Sequence, residues 1–255
     1  EDPAALTLHA VASALAGRPE IALTDLANPA VAANVDSQLW KAMALVRQEK
    51  WVEAREKFKN AELVVTALPL DLQRAILADA FRAALEVKDY PGATARDNDL
   101  AVIGLSPEQA GSVALMRGRL AEALGREQDA LTEFQRAMTS PDRPDAVEAQ
   151  LRAIALRQQR GEIADDDALR ELETLAVTWR GDAIEVRTLD LLMTLYIAKG
   201  RYPEAFAAEQ MATRLRPNSP AARRMQTAAA ALFAQLYNGD KADELPPVEA
   251  LATFY

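Results

Sequence analysis

The sequence lacks cysteine and contains a single histidine, His9. The missing cysteine excludes disulfides, thiolate zinc sites and a cysteine nucleophile, and one histidine argues against a histidine-based metal site or catalytic triad. Glycine is scarce, with 10 residues among 255, and no apolar run reaches the ~18–20 residues that a transmembrane helix needs. Runs of β-branched residues are also nearly absent. The scarcity of β-branched runs predicts a fold without a sheet, and the missing apolar run predicts no direct insertion into a membrane.

The acidic balance of the chain argues against nucleic-acid binding. The chain has 38 Asp and Glu against 29 Lys and Arg, which gives a net charge of −9. Nucleic-acid binding draws most of its affinity from basic residues that meet phosphate, so an acidic chain needs a local basic patch to bind it. The basic residues are 22 Arg and 7 Lys, a bias typical of bacteria with GC-rich genomes. The composition leaves the compartment open between cytoplasm and periplasm.

No motif for catalysis or cofactor binding occurs in the sequence. A glycine-rich phosphate loop followed by lysine is missing, and so is the H-E-x-x-H zinc motif. Asp165-Asp166-Asp167 lies where a helix should begin, and three carboxylates there complement the helix dipole. We interpret this run as a solvated helix start, and Trp40, Trp51 and Trp179 as packing residues. The sequence therefore predicts a protein that is not an enzyme and holds no cofactor or metal.

Helix-forming residues and helix-end signals run along the whole chain. Starts are marked by a capping residue followed by proline, as in Asn28-Pro29 and Ser106-Pro107. Ends are marked by Gly17, Gly125, Gly161 and Gly200. These signals predict thirteen helices, over residues 3–16, 19–27, 29–48, 51–66, 70–87, 90–102, 107–124, 127–139, 144–160, 165–179, 182–199, 202–215 and 219–237.

A turn followed by a helix start recurs along the chain with nearly constant spacing. Each copy places an alanine shortly after the turn, and these anchoring alanines are Ala54, Ala93, Ala130, Ala168 and Ala205. Their spacings are 39, 37, 38 and 37 residues. In the copy before Ala168, the turn contains extra residues. The pattern predicts a helical hairpin in each unit, which must stack on its neighbours because it cannot bury its second face alone.

The residues around these turns resemble the tetratricopeptide repeat family. The best copy combines a leucine and a small-residue position, an aromatic late in helix A, a Gly-x-aromatic turn and the alanines of helix B: Leu189, Leu192, Met193, Tyr196, Gly200, Tyr202, Ala205, Ala212 and Pro217. The period of 37–39 exceeds the family's 34, and Glu209 replaces the usual aromatic. The resemblance covers roughly residues 30–218. It implies an all-α fold, a right-handed α-solenoid of stacked antiparallel helix hairpins.

In this family helix A lines a concave groove that commonly holds a peptide. Positions counted back from the anchoring alanines by eleven or seven residues would face that groove. They include Met43, Arg47, Arg82, Arg119 and Arg157. Arginines on adjacent helices would form a positive stripe, in which each guanidinium can bind a carboxylate through two hydrogen bonds. The alternative is that they pair within the chain, with Glu86, Glu122 or their neighbours.

The leading functional hypothesis is a non-enzymatic module that binds a peptide or protein segment in this groove. An acidic or carboxylate-terminated peptide would suit the arginine stripe. The alternative is a structural scaffold, or a helical accessory or regulatory domain of a larger bacterial protein, such as one of the cell envelope. We expect one repeat domain over residues 1–237, with about six hairpins, a degenerate first one and a final helix.

The C-terminal residues 238–255 are predicted to form a polar linker that contains two prolines, followed by the start of a further helix. Val248, Leu251, Phe254 and Tyr255 fall roughly on one side of that helix. Together with the missing initiator methionine, this pattern suggests a mature form or a fragment of a longer protein. We expect the apolar segment to fold back on the last hairpin or to dock on a second molecule, which would give a dimer.

Overall fold

The computed structural model describes residues 2–59 and 62–238, and within this part of the chain every regular element is a helix. The helices are α1 (Pro3–Leu15), α2 (Pro19–Leu26), α3 (Pro29–Ala32), α4 (Val35–Arg47), α5 (Trp51–Lys59), α6 (Glu62–Val65), α7 (Leu70–Glu86), α8 (Tyr90–Ile103), α9 (Pro107–Ala123), α10 (Glu127–Ala137), α11 (Arg143–Gln159), α12 (Asp165–Thr178), α13 (Ala183–Ala198), α14 (Tyr202–Leu215) and α15 (Pro220–Asn238). The predicted all-α fold is confirmed.

The chain divides into two compact units. The first is Glu1–Asp142, and the second begins at Arg143. Whether the repeats form one continuous domain over residues 1–237 stays a prediction. Asn238, the first residue of the expected linker, is instead the last residue of α15. The rest of that segment, and the dimer expected from it, lie outside the described residues.

The first unit contains four helical hairpins, each made of an A helix and the B helix that follows it. The pairs are α1 with α2, α4 with α5, α7 with α8, and α9 with α10. Successive A helices pack on one another, since α4 contacts both α1 and α7, and α7 contacts α9. B helices pack on the next A helix, as α2 does on α4 and α5 on α7. This stacking buries the second face of each hairpin, which is what an α-solenoid requires.

The second unit repeats the arrangement on a smaller scale. Its hairpins pair α11 with α12 and α13 with α14, and α15 packs on both α13 and α14. The A helices again form a contact series, because α13 touches α11 on one side and α15 on the other. The core of this unit includes Leu172, Leu192 and Met193, all at most 3% exposed.

Every hairpin turns through one residue in the left-handed region of backbone space. In four hairpins that residue is one of the predicted glycines, Gly17, Gly125, Gly161 or Gly200, with φ near +70°. In the other two it is Glu49 (φ 57°) and Lys88 (φ 61°). The next amide N–H closes the helix end, as when Arg126 donates to the carbonyl of Ala121 at 2.8 Å. The six turns therefore share one backbone conformation, whether or not glycine occupies the left-handed position.

The anchoring alanines are the points of closest approach within the hairpins. All five, and Ala22 at the same place in the first hairpin, have no exposed surface. In the α9–α10 hairpin the aromatic four residues after the alanine, Phe134, is fully buried against Gly118. A Cβ at Gly118 would lie 2.5 Å from the Phe134 ring. The A helix therefore needs a residue without a side chain where the ring packs.

The predicted helix over residues 29–48 is interrupted in the structure. Asn28 caps the single turn of α3 by accepting a hydrogen bond from the Ala30 amide, and α4 starts afresh after Asn34, whose backbone is extended. Asparagine competes for backbone hydrogen bonds and favours helix ends over helix interiors. The carbonyl of Ala32 that the break leaves open accepts a hydrogen bond from the Gln38 side chain at 2.7 Å.

Candidate functional site

One face of α7 carries alternating charges that link it to both neighbouring A helices. Asp79, Arg82 and Glu86 are spaced i, i+3 and i+7, which places them on one side of the helix. Arg47 of α4 donates to Asp79 at 3.1 Å, and Arg119 of α9 pairs with Glu86 at 2.8 Å. The structure thus brings together three of the predicted arginines. It also shows that two of them pair within the chain, the alternative that the sequence left open.

Arg82 differs from the other two arginines because no described carboxylate lies within ion-pair distance of it. Its side chain is half-buried, and it feels the charge of Asp79 without a direct hydrogen bond to it. Among these five side chains, three guanidinium groups meet two carboxylates, in a chain with an overall charge of −9. Arg82 therefore has donors to offer to an anionic partner.

Asp79 is the least well compensated carboxylate of the group. It is 7% exposed, and its buried Oδ2 has no hydrogen-bond partner among the described residues. Burial raises the pKa of this carboxyl above its ordinary value, against the opposing effect of the Arg47 and Arg82 charges. Burial thus disfavours the charged form of Asp79, and the charges of Arg47 and Arg82 oppose this effect.

This electrostatic arrangement predicts how an Asp79→Asn variant responds to pH. A carboxyl with a raised folded pKa contributes stability below its unfolded pKa of about 3.9 and loses it as pH rises through the folded value. We therefore expect wild type to gain stability relative to Asp79→Asn when the pH falls from 7 to 4, measured by urea unfolding. Asp71→Asn on the same helix, where the side chain is 92% exposed, is the control. An unchanged difference over this range would contradict the burial argument.

Two residues expected in the groove lie elsewhere. Met43 is 3% exposed and packs in the core of the first unit. Arg157 belongs to the second unit and pairs with Glu171 of α12 at 3.4 Å. Counting back from Ala168 misplaces it, because seven residues separate that alanine from Gly161, against five between Gly125 and Ala130. Counted from the left-handed turn residue instead, the position equivalent to Arg82 and Arg119 is Ala155.

Arginine–carboxylate pairs also join the A helices of the second unit. Arg187 of α13 binds Glu148 of α11 with two hydrogen bonds, and Arg224 of α15 pairs with Asp190 of α13 at 2.8 Å. The sequence did not single out these pairs. Their partners lie 39 and 34 residues apart, about one repeat, and that interval is the signal that could have found them.

The acidic run at the start of α12 is engaged in local hydrogen bonds and ion pairs. Asp165 accepts from the Gln158 side chain at 2.9 Å, Asp166 pairs with Lys199 at 2.9 Å, and Asp167 pairs with Arg170. Among the described residues, no three His, Cys, Asp or Glu side chains converge as a metal site would require. None of the described helices has both the length and the apolar character to cross a bilayer.

Comparison with known proteins finds a likeness in fold and none in sequence. No family model matches the chain, and no curated protein matches it. Among solved structures, the chain is similar to the crystal structure of the P58(IPK) TPR domain, with 13% identity and a TM-score of 0.43. The match covers 93% of this chain and 67% of that one.

Proposed function

We propose that this protein is a non-enzymatic interaction module that binds an acidic peptide segment on the A-helix face of its first unit. The single observation that carries the proposal is Arg82, a guanidinium without an ion-pair partner among the described residues, set between two arginines that cross-link neighbouring helices. Arg47, Arg82 and Arg119 are the residues that would contact the peptide.

The spread of the three arginines over three A helices favours an extended chain over a small molecule as the partner. The three arginines lie on three consecutive A helices, α4, α7 and α9, and α7 packs against both of the others. A peptide that lies across these helices could place a carboxylate at each of them. Guanidinium groups suit this role because their donors match both oxygens of a carboxylate.

The internal carboxylates set the strength and specificity of binding. Asp79 and Glu86 already occupy part of the hydrogen-bonding capacity of Arg47 and Arg119. An incoming carboxylate therefore forms two hydrogen bonds with Arg82. At Arg47 and Arg119 it shares the guanidinium donors with Asp79 and Glu86. We expect binding in the weak, salt-sensitive range that is typical of partly exposed charges.

The proposal is tested with a fluorescein-labelled nine-residue peptide of alternating Glu and Ser that has a free carboxyl end. Two matched peptides, one with Gln in place of Glu and one with an amidated end, separate side-chain from terminal carboxylates. Fluorescence anisotropy on wild type and Arg82→Glu should show binding that the variant weakens at least tenfold. Arg136→Glu, the same charge change at a 65% exposed residue of the B helix α10, should bind as wild type does.

Removal of the internal competitors should act in the opposite direction. Asp79→Asn and Glu86→Gln each release an arginine, so both variants are expected to bind the acidic peptide more tightly than wild type. Equal binding by wild type and Arg82→Glu, or equal binding by all three peptides, would instead favour the scaffold hypothesis.

A further inference from the structure

A groove lies between two B helices of the second unit, whereas the arginines belong to A helices of the first. Helices α12 and α14 form its walls and α13 its floor, and they enclose about 300 Å³. The floor consists of Leu189, Leu192 and Tyr196, each at most 7% exposed. At the rim, Val177 is 70% and Met211 39% exposed. The groove is thus a preformed apolar surface that is open along its top.

The first unit has a groove at the same place in its repeat, between α8 and α10 over α9, and charged side chains line it. Thr132, Glu133 and Arg136 follow the anchoring Ala130 by two, three and six residues and line that groove. Its floor contributes Arg117, which pairs with Asp97 of α8 at 2.6 Å.

In the second unit the same positions are apolar. The residues two, three and six positions after Ala205 are Ala207, Ala208 and Met211, and Leu192 takes the place of Arg117. Burial of apolar surface and van der Waals contact can therefore drive binding here, whereas the groove of the first unit is already satisfied internally.

The two ends of the apolar groove differ in charge. At one end lie Glu173 and Glu204 with a single counter-charge, Arg201, whose guanidinium stacks on the Tyr196 ring at 4.6 Å. The Tyr196 hydroxyl donates to Glu173 at 2.8 Å and closes that end.

At the other end Arg180, 56% exposed, pairs with the buried Glu185 at 3.3 Å and reaches across to the Met211 sulfur at 3.6 Å. Its exposed donors remain open to a further carboxylate. On α14 the lining residues Glu204, Ala207 and Met211 are spaced i, i+3 and i+7, so the groove is about 10 Å long, or two helical turns.

We propose that this groove binds an amphipathic α-helix of a protein partner, separately from the acidic-peptide site. The small side chains of Ala176, Ala207 and Ala208 let a helix backbone come close, and Val177 and Met211 flank its apolar side chains. The positive N-terminal end of the guest helix, with a basic residue in its first turn, lies at Glu173 and Glu204. An acidic residue two turns later meets Arg180. The guest helix therefore runs parallel to α12 and α14.

The test selects binders from a phage-displayed library of 14-residue helical peptides against the full chain. One enriched peptide is then labelled and its affinity measured by fluorescence anisotropy. We expect enriched sequences to carry apolar residues at i, i+3 or i+4 and i+7, with a basic residue before them and an acidic one after. Val177→Asp should weaken binding at least tenfold, and so should the double change Ala208→Glu with Met211→Arg, which imports the residues of the first unit.

Two controls make the result specific to the groove. Val102→Asp introduces the same charge at an apolar residue of the first unit that is 86% exposed, and Arg82→Glu disables the proposed acidic-peptide site. Both should bind the selected peptide as wild type does. Circular dichroism confirms that each variant is folded. Selected peptides that bind Val177→Asp as tightly as wild type, or a selection that enriches none, would overturn the proposal.

Discussion

Ala130→Leu and Ala205→Leu are each expected to lower the free energy of unfolding by about 1–3 kcal/mol, because a larger side chain overpacks a close helix contact. Both alanines are fully buried where helix B approaches helix A. Ala130 lies in the first unit and Ala205 in the second, so each variant reports on its own unit. Urea unfolding followed by circular dichroism gives the two values.

Ala207→Leu supplies the matched control for this experiment. Ala207 lies two residues after Ala205 on the same helix and is exposed, so the same added volume meets solvent. Its free energy of unfolding should stay within about 0.5 kcal/mol of wild type. If Ala205→Leu and Ala207→Leu unfold alike, Ala205 is not the contact that sets the spacing of the hairpin.

Arg187→Ala is expected to destabilise the second unit by about 1–3 kcal/mol, since it leaves a buried carboxylate without its two-point partner. Glu148 is 8% exposed and also accepts a hydrogen bond from Arg152 at 2.7 Å. That remaining bond keeps the loss below the full cost of an unpaired buried charge. Arg224→Ala removes an arginine that is 64% exposed and should cost no more than about 1 kcal/mol.

The effect of Arg187→Ala should depend on pH. Burial alone raises the pKa of Glu148, but the charges and hydrogen bonds of Arg152 and Arg187 outweigh it and hold the pKa below its ordinary value. A carboxylate with a lowered folded pKa contributes stability above its unfolded pKa, about 4.3, and loses it as pH falls through the folded value. The gap between wild type and Arg187→Ala should therefore be full at pH 7 and shrink below pH ~4. A gap that is constant down to pH 3 would show that the loss comes from packing.

The hairpins and their spacing can be predicted from local sequence signals. The signals behind them are local: a capping residue with proline begins a helix, glycine ends it, and an alanine follows the turn at a nearly fixed distance. Each of these depends on a few neighbouring residues, so each can be identified without knowledge of the fold. Repetition at 37–39 residues then makes weak copies recognisable beside strong ones. For this reason the all-α fold and the buried anchoring alanines could be predicted together.

The availability of the A-helix side chains to a partner depends on contacts that are distant in the sequence. Arg47 and Asp79 are 32 residues apart, and no local pattern predicts that this pair forms while Arg82 has no ion-pair partner among the described residues. Met43 is buried because of the helices that pack around it, and not because of its own sequence neighbours.

The tertiary structure also shows the conformation of two turns and where the extra residues of one repeat lie. Glu49 and Lys88 take the left-handed conformation that glycine adopts elsewhere. The extra residues before Ala168 shift Arg157 by two positions. Burial, ion pairing and register all depend on contacts between residues about one repeat apart, and such contacts exist only once the hairpins have stacked.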